Sequence, residues 1–233
     1  MSDTGHSALT SSLTDMMTSL MVIFVLLLVN YLGNRQSEIA QARSKTDEMQ
    51  SQFSIKLREA LINDVKVQKI DDYNLVVIVP EDKLQFESGM NQLNDAASIF
   101  LNQFVPVLLE TYKQFESDVS LINVEGHTDK KLKENAANKY YNWDLSQERA
   151  SAVMKFMFNY RKEASDSSAV DIDNFKQIAL FGGRGPIECP YSEQDDEALR
   201  KTCRTVKFKI RLKSSEESKA IRDNLHGRLE GEK

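Results

Sequence analysis

The sequence predicts an α+β protein built as a single N-terminal transmembrane helix, a helical stalk and a βαβαβ sandwich domain. Three observations carry that reading. Residues 16–34 read MMTSLMVIFVLLLVNYLGN, apolar and without a charge. Residues 36–64 hold no Pro or Gly and space their apolar side chains as a helix does. From 65 to 212, runs with strand character are interleaved with two runs of helical period. The segments are therefore a short N-terminus at 1–15, the span at 16–34, the stalk at 35–64, the domain at 65–212 and a charged tail at 213–233.

The uncharged run has 19 residues. At about 1.5 Å per residue it covers roughly 28 Å, close to the roughly 30 Å hydrocarbon core. Residues 1–14 contain no Lys or Arg, and Asn30-Tyr31-Leu32 lacks the small residues of a cleavage site, so a retained anchor is expected. Arg35, Arg43 and Lys45 follow the span with nothing basic before it. Taken alone, that asymmetry favours a cytoplasmic C-terminal domain, diluted by Glu38, Asp47 and Glu48.

Asp15 opens the run and has two readings. It is the N-cap of a helix starting at Met16, or a carboxylate held in lipid as part of an ion path. At about 100° per residue, Ser11, Ser12, Thr18, Ser19 and Asn30 lie within about 60° of it, forming one polar stripe. A helix beginning near Ala8 would put Asp15 roughly 10 Å along the axis.

In the stalk, Met49, Phe53, Leu57 and Leu61 recur every four residues after Ile39, the pattern of a coiled coil, which suggests a dimer. The domain opens with VKVQKI and NLVVIVP around Asp71-Asp72-Tyr73, a β-hairpin pattern. A helix follows over 90–117, which Pro106 should kink or break. Strand 119–126, helix 144–160 and strands 176–183 and 204–212 complete the domain, with Asp144 and Gln147 spaced as a capping box. From Ser214 onward a solvated helix or disordered tail is expected.

Charged residues make up 28% of the chain, the net charge is −5, and no long basic block appears, which argues against nucleic acid as a partner. No Ser-His-Asp constellation, Walker loop or metal-ligand cluster is legible, so neither an enzymatic activity nor a metal or bound cofactor is expected. Cys189 and Cys203 suit a disulfide in an oxidising compartment, worth about 3 kcal/mol, or two buried thiols.

Asp129 follows a strand, where loops expose side chains, and Arg149 shares the arc of Phe156 and Tyr160 on the apolar side of its helix. A guanidinium there is costly unless it meets an anion. A bridge between Asp129 and Arg149, or a loop pinned by His127 and Asp129, accounts for them as well as a ligand does.

VEGHTD at 124–129, NWDLSQERASAV at 142–153, LQFESG at 84–89 and RTVKFKI at 204–210 resemble the OmpA-type peptidoglycan-binding domain, over roughly 65–212. The resemblance implies that Asp129 and Arg149 clamp the diaminopimelate of a peptide stem. The carboxylate would take the ligand's ammonium and the guanidinium its carboxylate. His127, Thr128, Asn142, Leu145 and Arg204 would complete the peptidoglycan site. Two departures stand out: KKLKENAANKYYNWD, before Leu145, is several residues longer than usual, and the family's Asn-Arg-Arg is Cys203-Arg204-Thr205 here.

Around Asp15, SLTDMMTSLMVIFVLLLV resembles the span of the MotB family of ion-driven stator subunits, in which Asp15, Met17, Thr18 and Met21 fit D-x-M-T-x-x-M. That implies H+ or Na+ carried at Asp15, with Thr18 and Ser19, in a homodimer ringed by a multi-span MotA-like subunit. It also implies a single-pass inner-membrane protein with a cytoplasmic N-terminus and a periplasmic domain, against the charge count. The double glycine of LFGG, the long loop after Asp129 and the compact chain resemble the MotB-like subunits of Zorya anti-phage defence systems. A flagellar stator and a static membrane-to-wall tether that conducts nothing remain as alternatives.

Overall fold

A computed structural model describes residues 4–84, 86, 93–131, 140–160, 172–214 and 217. The chain divides into two units, Met1–Gln41 and Ala42–Lys233. Helix α1, Thr4–Glu59, contributes to both.

In the first unit Leu13, Met16, Leu20, Phe24 and Leu27 are exposed along α1, which is long and apolar enough to cross a membrane. An α-helix satisfies its own backbone groups, as a span must. Asp15 lies inside this helix, eleven residues after Thr4 and therefore about 16 Å along the axis. An N-cap stands at a helix start with non-helical backbone, so the capping reading of Asp15 does not hold. Thr18 donates its hydroxyl back to the Thr14 carbonyl at 2.7 Å. At the other end, Arg35 lies 5.6 Å from the Tyr31 ring centroid and its Nε donates to the Tyr31 hydroxyl at 3.1 Å. Such an aromatic and basic pair suits a membrane–water interface.

The second unit is a five-stranded sheet in the order β1-β2-β5-β3-β4, with β1 Lys66–Lys69, β2 Asn74–Pro80, β3 Val119–His127, β4 Ala179–Gly185 and β5 Thr205–Leu212. All neighbours are antiparallel except β3 and β4. The β1–β2 turn is held by Asp71, whose Oδ1 accepts from the Tyr73 and Asn74 amides. Alternation along β5 buries Val206, Phe208, Ile210 and Leu212, and turns Lys207, Lys209 and Arg211 to the other face. A short helix, α4 (Ile172–Ile178), takes the first residues expected for the fourth strand.

Helix α2, Asp95–Gln114, is capped by Asn94, which accepts from the Ala97 amide at 2.8 Å. Contrary to expectation, the helix runs through Pro106. Proline leaves the Asn102 carbonyl without its helical donor, and Asn102 is exposed, so water can serve it. Helix α3, Tyr141–Asn159, starts earlier than expected, after Tyr140, so Asp144 and Gln147 form no capping box. Gln147 instead accepts from the Gly183 amide at 2.6 Å, and Ser146 from the Gly185 amide at 2.9 Å.

The segment expected as a helical stalk or short coiled coil shows the largest difference. From Ala42 onward α1 belongs to the domain, where Met49, Phe53 and Leu57 are almost fully buried in its core. The rings of Phe53, Phe104 and Phe208 meet in sequence at tilted angles, with centroids 6.4 Å and 5.1 Å apart. Thr46 donates to the Asp72 carbonyl at 2.7 Å, and Lys45 pairs with Asp118. The stripe that suggested a second helix therefore meets the sheet domain of the same chain, and each buried side chain contributes about 1.5–3 kcal/mol.

The helix ends in a Schellman motif, with Ile62 N–H on Leu57 O at 2.8 Å and Leu61 N–H on Arg58 O at 3.0 Å. Leu61 occupies the left-handed position that usually falls to glycine, at φ 59°. Of the segment LQFESG, residues 85 and 87–89 lie outside the described residues, as does the tail beyond Glu217. Ser214 and Glu217 form a reciprocal capping box at 2.9 and 3.1 Å.

Candidate functional site

The β3–α3 loop begins where Gly126 lets α3 come down on the sheet. A Cβ there would overlap the Ser146 carbonyl, and one on Gly183 would overlap Ser146 and Gln147. Those two glycines set α3 against β3 and β4, and with it the loop that carries Thr128 and Asp129.

Thr128 and Asn142 hold the loop's shape. The Thr128 amide donates to Gly185 O at 3.0 Å, and Asn142 Nδ2 donates to the carbonyls of Asp129 and Lys131 at 3.1 and 3.2 Å. Leu145 is half-buried on α3.

Asp129 is 5% exposed. Its Oδ2 faces two guanidiniums, Arg200 Nη1 at 3.4 Å and Arg204 Nη1 at 3.3 Å, and its Oδ1 accepts from the Lys131 amide at 3.2 Å. Arg204 also meets Glu81 at 2.6 Å and Glu197 at 2.5 Å. Glu81 in turn reaches Arg149 at 3.6 Å, and the Arg149 guanidinium lies 5.0 Å from the Phe86 ring centroid. Asp129, Arg149 and Arg204 thus belong to one cluster of three carboxylates and three guanidiniums. Burial pushes Arg149 below the usual arginine range, with Glu81 countering it, and among the described residues its buried Nε has no hydrogen-bond partner. Burial opposes charge on Arg204 too, but Glu197, Glu81 and Asp129 outweigh it and raise its pKa.

Glu81, Glu197 and Arg200 escape a reading of the sequence. Glu81 merely follows β2, and Arg200 sits on α5, Glu197–Lys201, between the two cysteines. Cys189 and Cys203 are bonded, with Cα atoms 5.3 Å apart, so the alternative of two free thiols falls. That closure was the signal that the intervening segment returns to β5.

His127 joins a second cluster. Strand alternation puts Glu125 and His127 on one face, where His127 Nε2 lies 3.4 Å from Glu125 Oε2 and Nδ1 lies 3.7 Å from Glu188 Oε2. Among the described residues these three bring ligand atoms within 4.8 Å of one another, a grouping not legible in the sequence. Their charge is already met: Lys209 lies 2.6 Å from Glu125, and Lys207 lies 2.5 Å from Glu188. A divalent ion would have to displace those lysines. Burial would raise the Glu125 carboxyl, but hydrogen bonds from His127 and Lys209 outweigh it and hold its pKa at about 2.

A two-layer α+β domain with a buried Asp–Arg cluster beside a Gly-His-Thr-Asp loop defines an OmpA-like domain. Residues 85–188 match the OmpA family. The periplasmic domain of Helicobacter pylori MotB has the same fold at 18% identity, with a TM-score of 0.50 over 72% of this chain and 88% of that one. A MotB-like protein from Desulfovibrio vulgaris aligns with a TM-score of 0.55 at 18% identity, over 76% of this chain and 98% of that one. The chain thus carries an OmpA-like domain whose fold is similar to that of MotB-type periplasmic domains. Along most of its length it is similar to Zorya protein ZorB of Escherichia coli, 24% identical over 203 residues, 84% of this chain and 86% of that protein.

Proposed function

We propose that this chain is the wall-anchored subunit of an ion-driven inner-membrane motor of the Zorya anti-phage type. One combination carries the reading: a carboxylate, Asp15, well inside an exposed apolar helix, and in the same chain an OmpA-like domain with Asp129, Arg149 and Arg204 clustered. An acid in lipid is costly unless it handles an ion, and a dry Asp–Arg pair suits the zwitterionic end of diaminopimelate.

In this reading H+ or Na+ binds and leaves at Asp15, with Thr18 and Ser19 on the same stripe. A multi-span MotA-like ring surrounds a dimer of the chain, and the domain holds peptidoglycan in the periplasm. The disulfide supports an oxidising compartment for the domain, against the three cations after the span. Similarity to ZorB supports defence rather than motility.

The test is ion flux. The chain, co-purified with its membrane partner in liposomes, should pass H+ or Na+ down a gradient, and Asp15→Asn should stop it while complex assembly persists. Absence of flux from the parent complex under every activating condition tried would leave a static tether. A partner gene beside flagellar genes would make the motor one for swimming.

A further inference from the structure

We propose that Arg200 is an internal occupant of the ammonium subsite at Asp129, so that a wall peptide binds only when α5 withdraws. The inference rests on the wall-binding reading above.

Both oxygens of the carboxylate are engaged. Oδ1 accepts the Lys131 amide, and Oδ2 faces Arg200 and Arg204. The oxygens keep acceptor capacity, but the carboxylate is only 5% exposed, so an entering ammonium gains room by replacing one of the two arginines. Arg204 is the harder to move, because Glu81, outside α5, also holds it and the next residue, Thr205, begins β5. Arg200 is gripped mainly by its own segment: its Nε donates to Asp195 O at 3.0 Å and its Nη2 pairs with Glu197 at 2.5 Å. It therefore travels with the five-residue helix α5, tied at one side by the Cys189–Cys203 bond.

Charge favours the exchange. Glu81, Asp129 and Glu197 balance Arg149, Arg200 and Arg204; α5 carries both Arg200 and Glu197, so its withdrawal removes one charge of each sign, and the ammonium and carboxylate of a zwitterionic ligand restore one of each. The other half of the subsite stands ready. Among the described residues Arg149 has a buried Nε without a hydrogen-bond partner and a carboxylate at 3.6 Å, so a ligand carboxylate improves its bonding. Arg200 thus sets affinity, and the disulfide sets how readily it leaves.

The measurement is the affinity of the full-length protein in nanodiscs for a synthetic stem tripeptide ending in meso-diaminopimelate, with retention on purified sacculi in parallel. Arg200→Gln should tighten binding by about tenfold, the weight of one charge-assisted contact, and Arg200→Lys should return it toward the parent value. The double variant Cys189→Ser, Cys203→Ser keeps Arg200 but frees its segment, so its affinity should rise as well. Equal or weaker binding by Arg200→Gln overturns the proposal. Should that variant unfold, an unchanged affinity in the double cysteine variant overturns it instead. If neither the parent nor any of these variants holds tripeptide or sacculi, the wall-binding reading fails and takes this inference with it.

Discussion

Glu81 Oε2 lies 2.6 Å from Arg204 Nε, and through its other oxygen the same carboxylate reaches Arg149 at 3.6 Å. The arginine on α3 and the arginine before β5 are therefore joined by an acid from the end of β2, three elements meeting in one partly buried cluster.

Glu81→Gln should accordingly destabilise the domain by about 2 kcal/mol, less than for a fully buried pair because both partners retain some solvent. Urea denaturation followed by tryptophan fluorescence would show it. An unchanged midpoint would mean that the two guanidiniums are hydrated well enough without this carboxylate.

Phe53→Ala should cost about 3–5 kcal/mol, since Phe53 fills the core against Phe104. Ile39→Ala, at an exposed position outside the domain unit, should leave the same melting transition in place. Equal behaviour of the two variants would return residues 42–59 to the status of a free stalk.

Leu61→Gly is expected to stabilise by about 0.5–1 kcal/mol, because the left-handed conformation at the Schellman position costs a leucine what it does not cost a glycine. Differential scanning calorimetry would detect the rise, and a fall would show that the exposed leucine packs against something in the assembled protein.

Gly126→Ala should disrupt the β3–α3 approach, since its Cβ would overlap the backbone of Ser146 and neither strand nor helix can yield easily. Loss of several degrees in Tm, with the loop carrying Asp129 displaced by NMR shifts, is the expected result. A variant with parent-like Tm and parent-like shifts would contradict this close contact.

Glu125 links stability to pH. Its folded pKa of about 2 lies below the ordinary value of 4.5, so its contribution is complete above 4.5 and is lost as pH falls toward 2. Through that window the effect is of order 3 kcal/mol. Glu125→Gln should flatten the decline of Tm between pH 4.5 and 2, and an identical slope in parent and variant would refute the assignment.

Much of this was legible in residue order. The apolar run from Met16, the hairpin around Asp71 and the alternation along β5 follow from periodicities that local sterics and burial impose on any chain. Asp129 and Arg149 could be singled out because spacing tells what a loop or a helix face presents, and Arg204 through the resemblance to the OmpA-type domain. Their actual partners could not be named, since Glu81 and Arg200 arrive from segments distant in sequence, and no periodicity encodes which charges meet. The Met49, Phe53 and Leu57 stripe shows the same limit: it announces a buried helix face and is silent on what buries it.

By itself, then, the order of residues determined the span, the element types and the candidate charged residues, because each depends on neighbours within a turn or two of chain. Only the tertiary structure decided that residues 42–59 of α1 pack into the sheet domain, that the cysteines are joined and that Asp129 already holds two guanidiniums. Those outcomes depend on which surfaces meet through space, and the free energy of that meeting is set by packing and desolvation across elements.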